Sequence, residues 1–122
     1  LRRLARAIPV AIVSGATRHD VAEGVERMGL AGCLRFYLGA EDYGPGKPDP
    51  SCYIMGAQRM GVAPAQCLVF EDAEAGVRAA KSAGMRCVAL RRHEAPRQQL
   101  EHADLVLADL ADFSLGMLND LE

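Results

Sequence analysis

The sequence has 122 residues and a formal net charge of −2, from 14 Lys and Arg against 16 Asp and Glu. Half its residues are hydrophobic and a quarter charged, a globular balance that excludes disorder, collagen-like repeats and a disulfide-dense mini-protein. No apolar run approaches the about 20 residues of a membrane span. The charge balance and the absence of Trp, with 3 Tyr and 3 Phe, argue against a nucleic-acid partner.

In chain order, Leu1, Leu4, Ala5 and Ile8 share a helical face, with Arg2, Arg3 and Arg6 opposite, and Pro9 ends that helix. The first residue is Leu and opens within an amphipathic pattern, so the chain reads as a piece of something longer. The apolar run Val10 to Val13 predicts a strand buried on both faces. Ser14-Gly15 ends it. Thr17 and Asp20 form a capping-box-like pair for a helix with Val21, Val25 and Met28 on one face, and Gly29 stops it.

A weaker strand follows at Arg35 to Leu38, then a Gly- and Pro-rich loop from Gly39 to Pro48. Asp49 is placed to cap a helix with Pro50 at its first position. Tyr53, Ala57 and Met60 stripe it, and Gly61 ends it. Cys67 to Phe70 predicts a second buried strand, followed at once by Glu71-Asp72 and a helix from about Glu74 to Ala83. Cys87 to Leu90 is a third strand. Arg91 to Gln99 reads as a loop entering a short helix. Leu105 to Leu107 is a last strand, and Leu115, Leu118 and Leu121 mark a final helix. No two of Cys33, Cys52, Cys67 and Cys87 have CxxC spacing, and Cys67 and Cys87 open apolar runs as small buried hydrophobes do. With no signal peptide visible, a reducing cytoplasmic setting is expected.

Strands alternating with helices predict an α/β domain with a mostly parallel sheet, in which ligands bind beyond the carboxyl ends of the strands. That rule selects Ser14 and the Glu71-Asp72 pair. A hydroxyl at Ser14 beside Gly15, near a helix start, suits a phosphate, or it simply caps a turn. Lys47, between Gly46 and Pro48, could neutralise phosphate oxygens or stand as an exposed structural lysine. It does not belong to a P-loop, since Glu41 and Pro48 occupy positions where that motif needs Gly and Ser or Thr. Glu71 and Asp72 offer hard oxygens of the kind Mg²⁺ prefers, or complement a helix N-terminus.

Taken together, Val13-Ser14-Gly15, Gly46-Lys47-Pro48-Asp49-Pro50 and Val69-Phe70-Glu71-Asp72-Ala73-Glu74-Ala75-Gly76 resemble the haloacid dehalogenase superfamily, most closely its beta-phosphoglucomutase-like branch. The resemblance runs from Val10 to Leu105. It implies a Rossmann-like three-layer α/β/α core, with residues 1–122 forming part of one such domain. It also implies Mg²⁺-dependent phosphoryl transfer from a small, sugar-phosphate-like metabolite through an aspartyl-phosphate. By the same resemblance Ser14 and Gly15 would bind the phosphoryl group, Lys47 would steady nucleophile and phosphoryl, and Asp72 would ligate Mg²⁺ with Glu71 beside it. Arg18 reads as a helix-surface arginine, with an anionic substrate group as the alternative.

One departure stands out. The family's first motif, Asp-x-Asp on a central strand, has no counterpart among Asp104, Asp109 and Asp112. The nucleophile, its strand and the substrate-selecting cap are expected from an upstream segment or a second chain. A non-catalytic phosphate-binding or regulatory relative is the alternative.

Overall fold

The computed structural model describes residues 1–91, 100 and 102–117. Two parallel sheets are present. The first pairs β1 (Ala11–Val13) with β2 (Phe36–Leu38), and the second orders β3 (Leu68–Glu71), β4 (Arg86–Leu90) and β5 (Leu105–Leu107). The registers are Ile12 on Tyr37, Phe70 on Val88 and Ala89 on Val106. Helices α1 (Arg2–Ala7), α2 (Arg18–Arg27), α3 (Ser51–Met60) and α4 (Glu74–Ser82) alternate with the strands as the periodicity requires.

Thr17 caps α2 by accepting from the Asp20 N–H at 3.2 Å, as expected. Arg2 reaches across to the carbonyls of Met28 (2.9 Å) and Gly29 (3.3 Å), fastening α1 to the negative end of α2. The cap of α3 differs by one residue from expectation. Its helical residues begin at Ser51, and the Asp49 carboxylate accepts from the Ser51 N–H at 2.9 Å. The expected helical segments within 92–99 and through Leu118 and Leu121 fall outside the described residues.

The core has two parts. Val21, Val25 and Leu30 pack against Ile12, Leu34 and Tyr37 under α2, while Cys52, Tyr53, Ala57, Val69, Val77 and Cys87 belong to a larger cluster under α3 and α4. Helix α3 touches both sheets: it packs on β1 and on α4, and Gly56 lies against the Val13 side chain.

Two expectations about burial fail. All three residues of β1 are half-exposed, and in β3 only Val69 is buried. The reason is an edge on each strand. The Ser14 N–H donates to Leu38 O (3.0 Å), the Arg35 N–H to Val10 O (2.8 Å), and the Arg86 N–H to Cys67 O (3.3 Å). Backbone direction alternates along a parallel ladder. Ala11 and Val13 therefore turn their N–H and C=O away from β2, and Leu68 and Phe70 turn theirs away from β4. Among the described residues no strand stands on these two edges. Cys67, expected to be buried, is half-exposed just ahead of β3, whereas Cys87 inside β4 is fully buried.

Candidate functional site

The carboxyl ends of β1 and β3 carry the residues singled out above. Ser14 follows β1 directly, and its Oγ accepts from the Ala16 N–H at 3.0 Å. That contact fixes Oγ in a tight turn and leaves the hydroxyl proton to donate elsewhere. Gly15 is exposed beside it, and no atom lies within 4 Å of where a Cβ would stand, so the space above the turn is open.

Lys47 ties the two strand ends together. Its Nζ donates to the Val13 carbonyl at 3.3 Å and to Glu71 Oε1 at 2.8 Å. The ion pair is enclosed, with side-chain exposures of 17% for Lys47 and 12% for Glu71. Lys47 is therefore not a solvated surface lysine. Tyr53, from α3, donates its hydroxyl to the same Glu71 oxygen at 3.0 Å, and the Lys47 ammonium lies 5.0 Å from the centroid of its ring. Burial, then the Glu71 charge and hydrogen bond, push the Tyr53 phenol up, so it remains a protonated donor.

The second Glu71 oxygen lies over Gly76. A Cβ on Gly76 would come within 1.5 Å of Oε2. The glycine therefore makes room for a carboxylate lying against helix α4, a physical reason for the Glu71-to-Gly76 spacing. Asp72 is half-buried immediately after β3, two residues ahead of α4. The alternative in which Glu74 serves the start of α4 holds in part: Glu74 stands in the first turn and pairs with Arg78 at 3.2 Å.

The loop from Gly39 holds residues that sequence patterning missed. It forms a 3-10 turn over Ala40–Asp42 whose carboxylates serve α2. Glu41 accepts from the Arg18 N–H at 2.8 Å, a bond that holds its carboxyl below the ordinary range. Asp42 accepts from the Gly39 N–H at 2.8 Å and pairs with the Arg18 guanidinium. Arg18 is thus a partner of Asp42 on the helix surface. Gly39 permits the close crossing, because a Cβ there would lie 2.5 Å from the Arg18 nitrogen. Tyr43 donates to the Ser14 carbonyl at 2.8 Å. The carboxylates of Glu41 and Asp42 and the hydroxyl of Tyr43 are legible as polar residues, but their partners on Arg18 and Ser14 lie more than 20 residues away.

Asp72 and Glu71 are the carboxylates at this strand end that a bound cation could use. Glu71 Oε1 already accepts from an ammonium and a phenol, and no cluster of three His, Cys, Asp or Glu able to hold a metal occurs among the described residues. Mg²⁺ needs only one or two protein carboxylates, its other ligands being water and substrate oxygens, so the residues present fit as part of its shell. Two grooves lie elsewhere: one of about 340 Å³ by Arg78, Lys81, Ser82 and His102, and one of about 470 Å³ between α1 and Leu110–Leu115. No described helix is long and apolar enough to cross a membrane.

Comparison with known proteins identifies the family. A family model for haloacid dehalogenase-like hydrolases matches residues 1–84. Validoxylamine A 7'-phosphate phosphatase of Streptomyces hygroscopicus subsp. limoneus is 37% identical over 106 residues, covering 86% of this chain and 49% of that protein. CbbY from Rhodobacter sphaeroides in complex with phosphate superposes with a TM-score of 0.86 at 22% identity, covering 97% of this chain and 54% of that one. A putative beta-phosphoglucomutase from Thermotoga maritima gives a TM-score of 0.80 at 26% identity, covering 98% and 56%. The chain spans about half the length of that Streptomyces phosphatase and of the two solved structures. With the family model covering more than half of the sequence, the chain belongs to the haloacid dehalogenase-like hydrolases.

Proposed function

We propose that these residues form half of a catalytic core that hydrolyses or transfers the phosphoryl group of a small, sugar-phosphate-like monoester. The observation that carries this reading is Lys47, whose ammonium joins the carboxyl ends of β1 and β3, at the Val13 carbonyl and at Glu71. Phosphoryl transfer demands positioning and cationic stabilisation of charge spread over the phosphoryl oxygens. Here the Ser14 hydroxyl and Gly15 N–H would bind those oxygens, and Lys47 would offset their charge. Asp72 would hold Mg²⁺, with Glu71 beside it and engaged with Lys47. When bound, the ion would neutralise further phosphoryl charge. The nucleophilic aspartate that forms the aspartyl-phosphate would come from a segment upstream of Leu1 or from a second chain. Relatives named as phosphatases support the reaction class.

The test is mutagenesis in the complete gene product, assayed on a panel of phosphomonoesters with and without Mg²⁺. Asp72→Asn should abolish the Mg²⁺-dependent activity, with a smaller loss for Glu71→Gln. Lys47→Ala should depress kcat by about 10²- to 10³-fold and change KM far less. Full activity in Asp72→Asn, or a rise in KM alone for Lys47→Ala, would overturn these roles. The alternative, a non-catalytic phosphate-binding or regulatory relative, draws on the lack of an Asp-x-Asp in these 122 residues. It requires that the sequence upstream of Leu1 also lack one.

A further inference from the structure

We infer that Tyr53 is a positioning residue for phosphoryl transfer, holding the Lys47–Glu71 pair in its working geometry. The inference rests on the phosphoryl-transfer reading above and extends it to a residue on α3 that helical spacing places in the core. Tyr53 is 6% exposed, which its place in the apolar stripe of α3 accounts for. That burial alone requires no hydroxyl, and a buried phenol without a partner would be costly. Its hydroxyl instead meets Glu71 Oε1 at 3.0 Å, the oxygen that Lys47 Nζ reaches at 2.8 Å.

The second contact is independent of the first. The ring face lies under the Lys47 ammonium, 5.0 Å from the centroid. One side chain thus touches both members of the ion pair, the anion through its hydroxyl and the cation through its π face. Glu71 is closed in from the other side by Gly76. Between Gly76 and the Tyr53 hydroxyl the carboxylate has little freedom to rotate, and Lys47 inherits that order.

Tyr53 does not reach the Ser14 turn in any described contact, so its effect should pass through Lys47. The experiment is a kinetic double-mutant cycle in the complete gene product, with Tyr53→Phe, Lys47→Ala and the double variant. Tyr53→Phe keeps the ring and its packing, and an unchanged circular-dichroism spectrum with a cooperative melt verifies the fold. Tyr53→Phe should lower kcat about 10- to 100-fold at nearly constant KM, the loss expected when a catalytic group is misplaced by a fraction of an ångström to an ångström. In the Lys47→Ala background the same substitution should change kcat by less than about twofold, since the group it positions is gone. If the parent enzyme is active and folded Tyr53→Phe retains its kcat, or if the two losses simply multiply, Tyr53 is only a packing residue and the inference is overturned. If the parent turns over no phosphomonoester, the phosphoryl-transfer reading itself fails and this role falls with it.

Discussion

Glu71 shows how one residue can impose requirements on several others. Its carboxylate is enclosed, so each oxygen needs a neighbour that tolerates it. Lys47 and Tyr53 supply donors to one oxygen, and the missing Cβ of Gly76 supplies space for the other. Gly76→Ala should therefore be much worse than its helix-favouring chemistry suggests. In an exposed helix interior the change would stabilise by about 1 kcal/mol. Here the new methyl would collide with Glu71 Oε2, and expelling the carboxylate would break the Lys47 contact. A net loss of about 1–3 kcal/mol is expected from overpacking of this kind. Gly15→Ala is the control, since its Cβ would meet nothing within 4 Å and no left-handed φ is imposed there. It should shift stability by under about 0.5 kcal/mol. Urea melts of the two variants provide the comparison. Equal stabilities would show that Glu71 can leave Gly76 freely.

Elements in this chain are joined as much by single polar residues as by apolar packing. Asp104 is the clearest case: it fixes the entry of β5 to β4 and α4. Its N–H donates to Cys87 O at 2.8 Å, and its carboxylate accepts from the Cys87 N–H at 2.7 Å and from Lys81 Nζ at 2.8 Å. Partial burial works against ionisation, but the Lys81 and Cys87 donors outweigh it and hold the carboxyl below its ordinary value of 3.8. A carboxyl lowered in the folded state adds stability above its unfolded pKa and loses it as the pH falls through the folded value. The contribution should thus be whole at neutral pH and vanish in acid below 3.8. Asp104→Asn should melt lower at neutral pH, and the gap to the parent should close in that acid window. A gap that stays constant with pH would rule out the charge as its source. Asp104 also marks the boundary of what patterning reveals. Apolar runs and glycine stops placed the five strands and four α-helices of the described residues within a residue or two, because burial periodicity is written locally. The candidate site residues Ser14, Glu71 and Asp72 could be nominated because ligand sites gather at strand carboxyl ends, and Lys47 because Gly46 and Pro48 flank it in a stiff loop. The Tyr53 hydroxyl could not, since an aromatic at helical spacing satisfies a core stripe whatever its far end touches. The partners of Glu41, Asp42, Tyr43 and Asp104 are equally invisible, being set by tertiary approach and not by spacing.

At the scale of the whole molecule, the arrangement turns on the two facing strand edges. Ala11 and Val13 on β1, and Leu68 and Phe70 on β3, direct backbone groups away from their own ladders, and the Val13 carbonyl meets Lys47. Both strands bring their carboxyl ends to Lys47. One further parallel strand between them would join the two sheets into a single one, ordered β2, β1, the new strand, β3, β4, β5. It would pair groups that each cost roughly 1–3 kcal/mol when left unsatisfied in an apolar setting. Against a domain's net stability of about 5–15 kcal/mol, such edges decide whether the sheet holds together. The carboxyl end of the added strand would arrive beside the Lys47 ammonium, which has three N–H donors and uses two of them here, on Val13 and Glu71. An acidic residue at that end would meet the remaining donor, which gives a physical reason for an aspartate there. We expect that a peptide with an apolar strand ending in Asp-x-Asp, co-expressed with this chain, raises its melting temperature. The amides of Ala11, Leu68 and Phe70 should then be protected from hydrogen exchange. Replacing the peptide's last aspartate by leucine should weaken the gain, and so should Lys47→Ala in the chain. If the chain alone melts as a cooperative monomer with these amides already protected, and the peptide adds nothing, the edges are closed by other means and the strand is not needed.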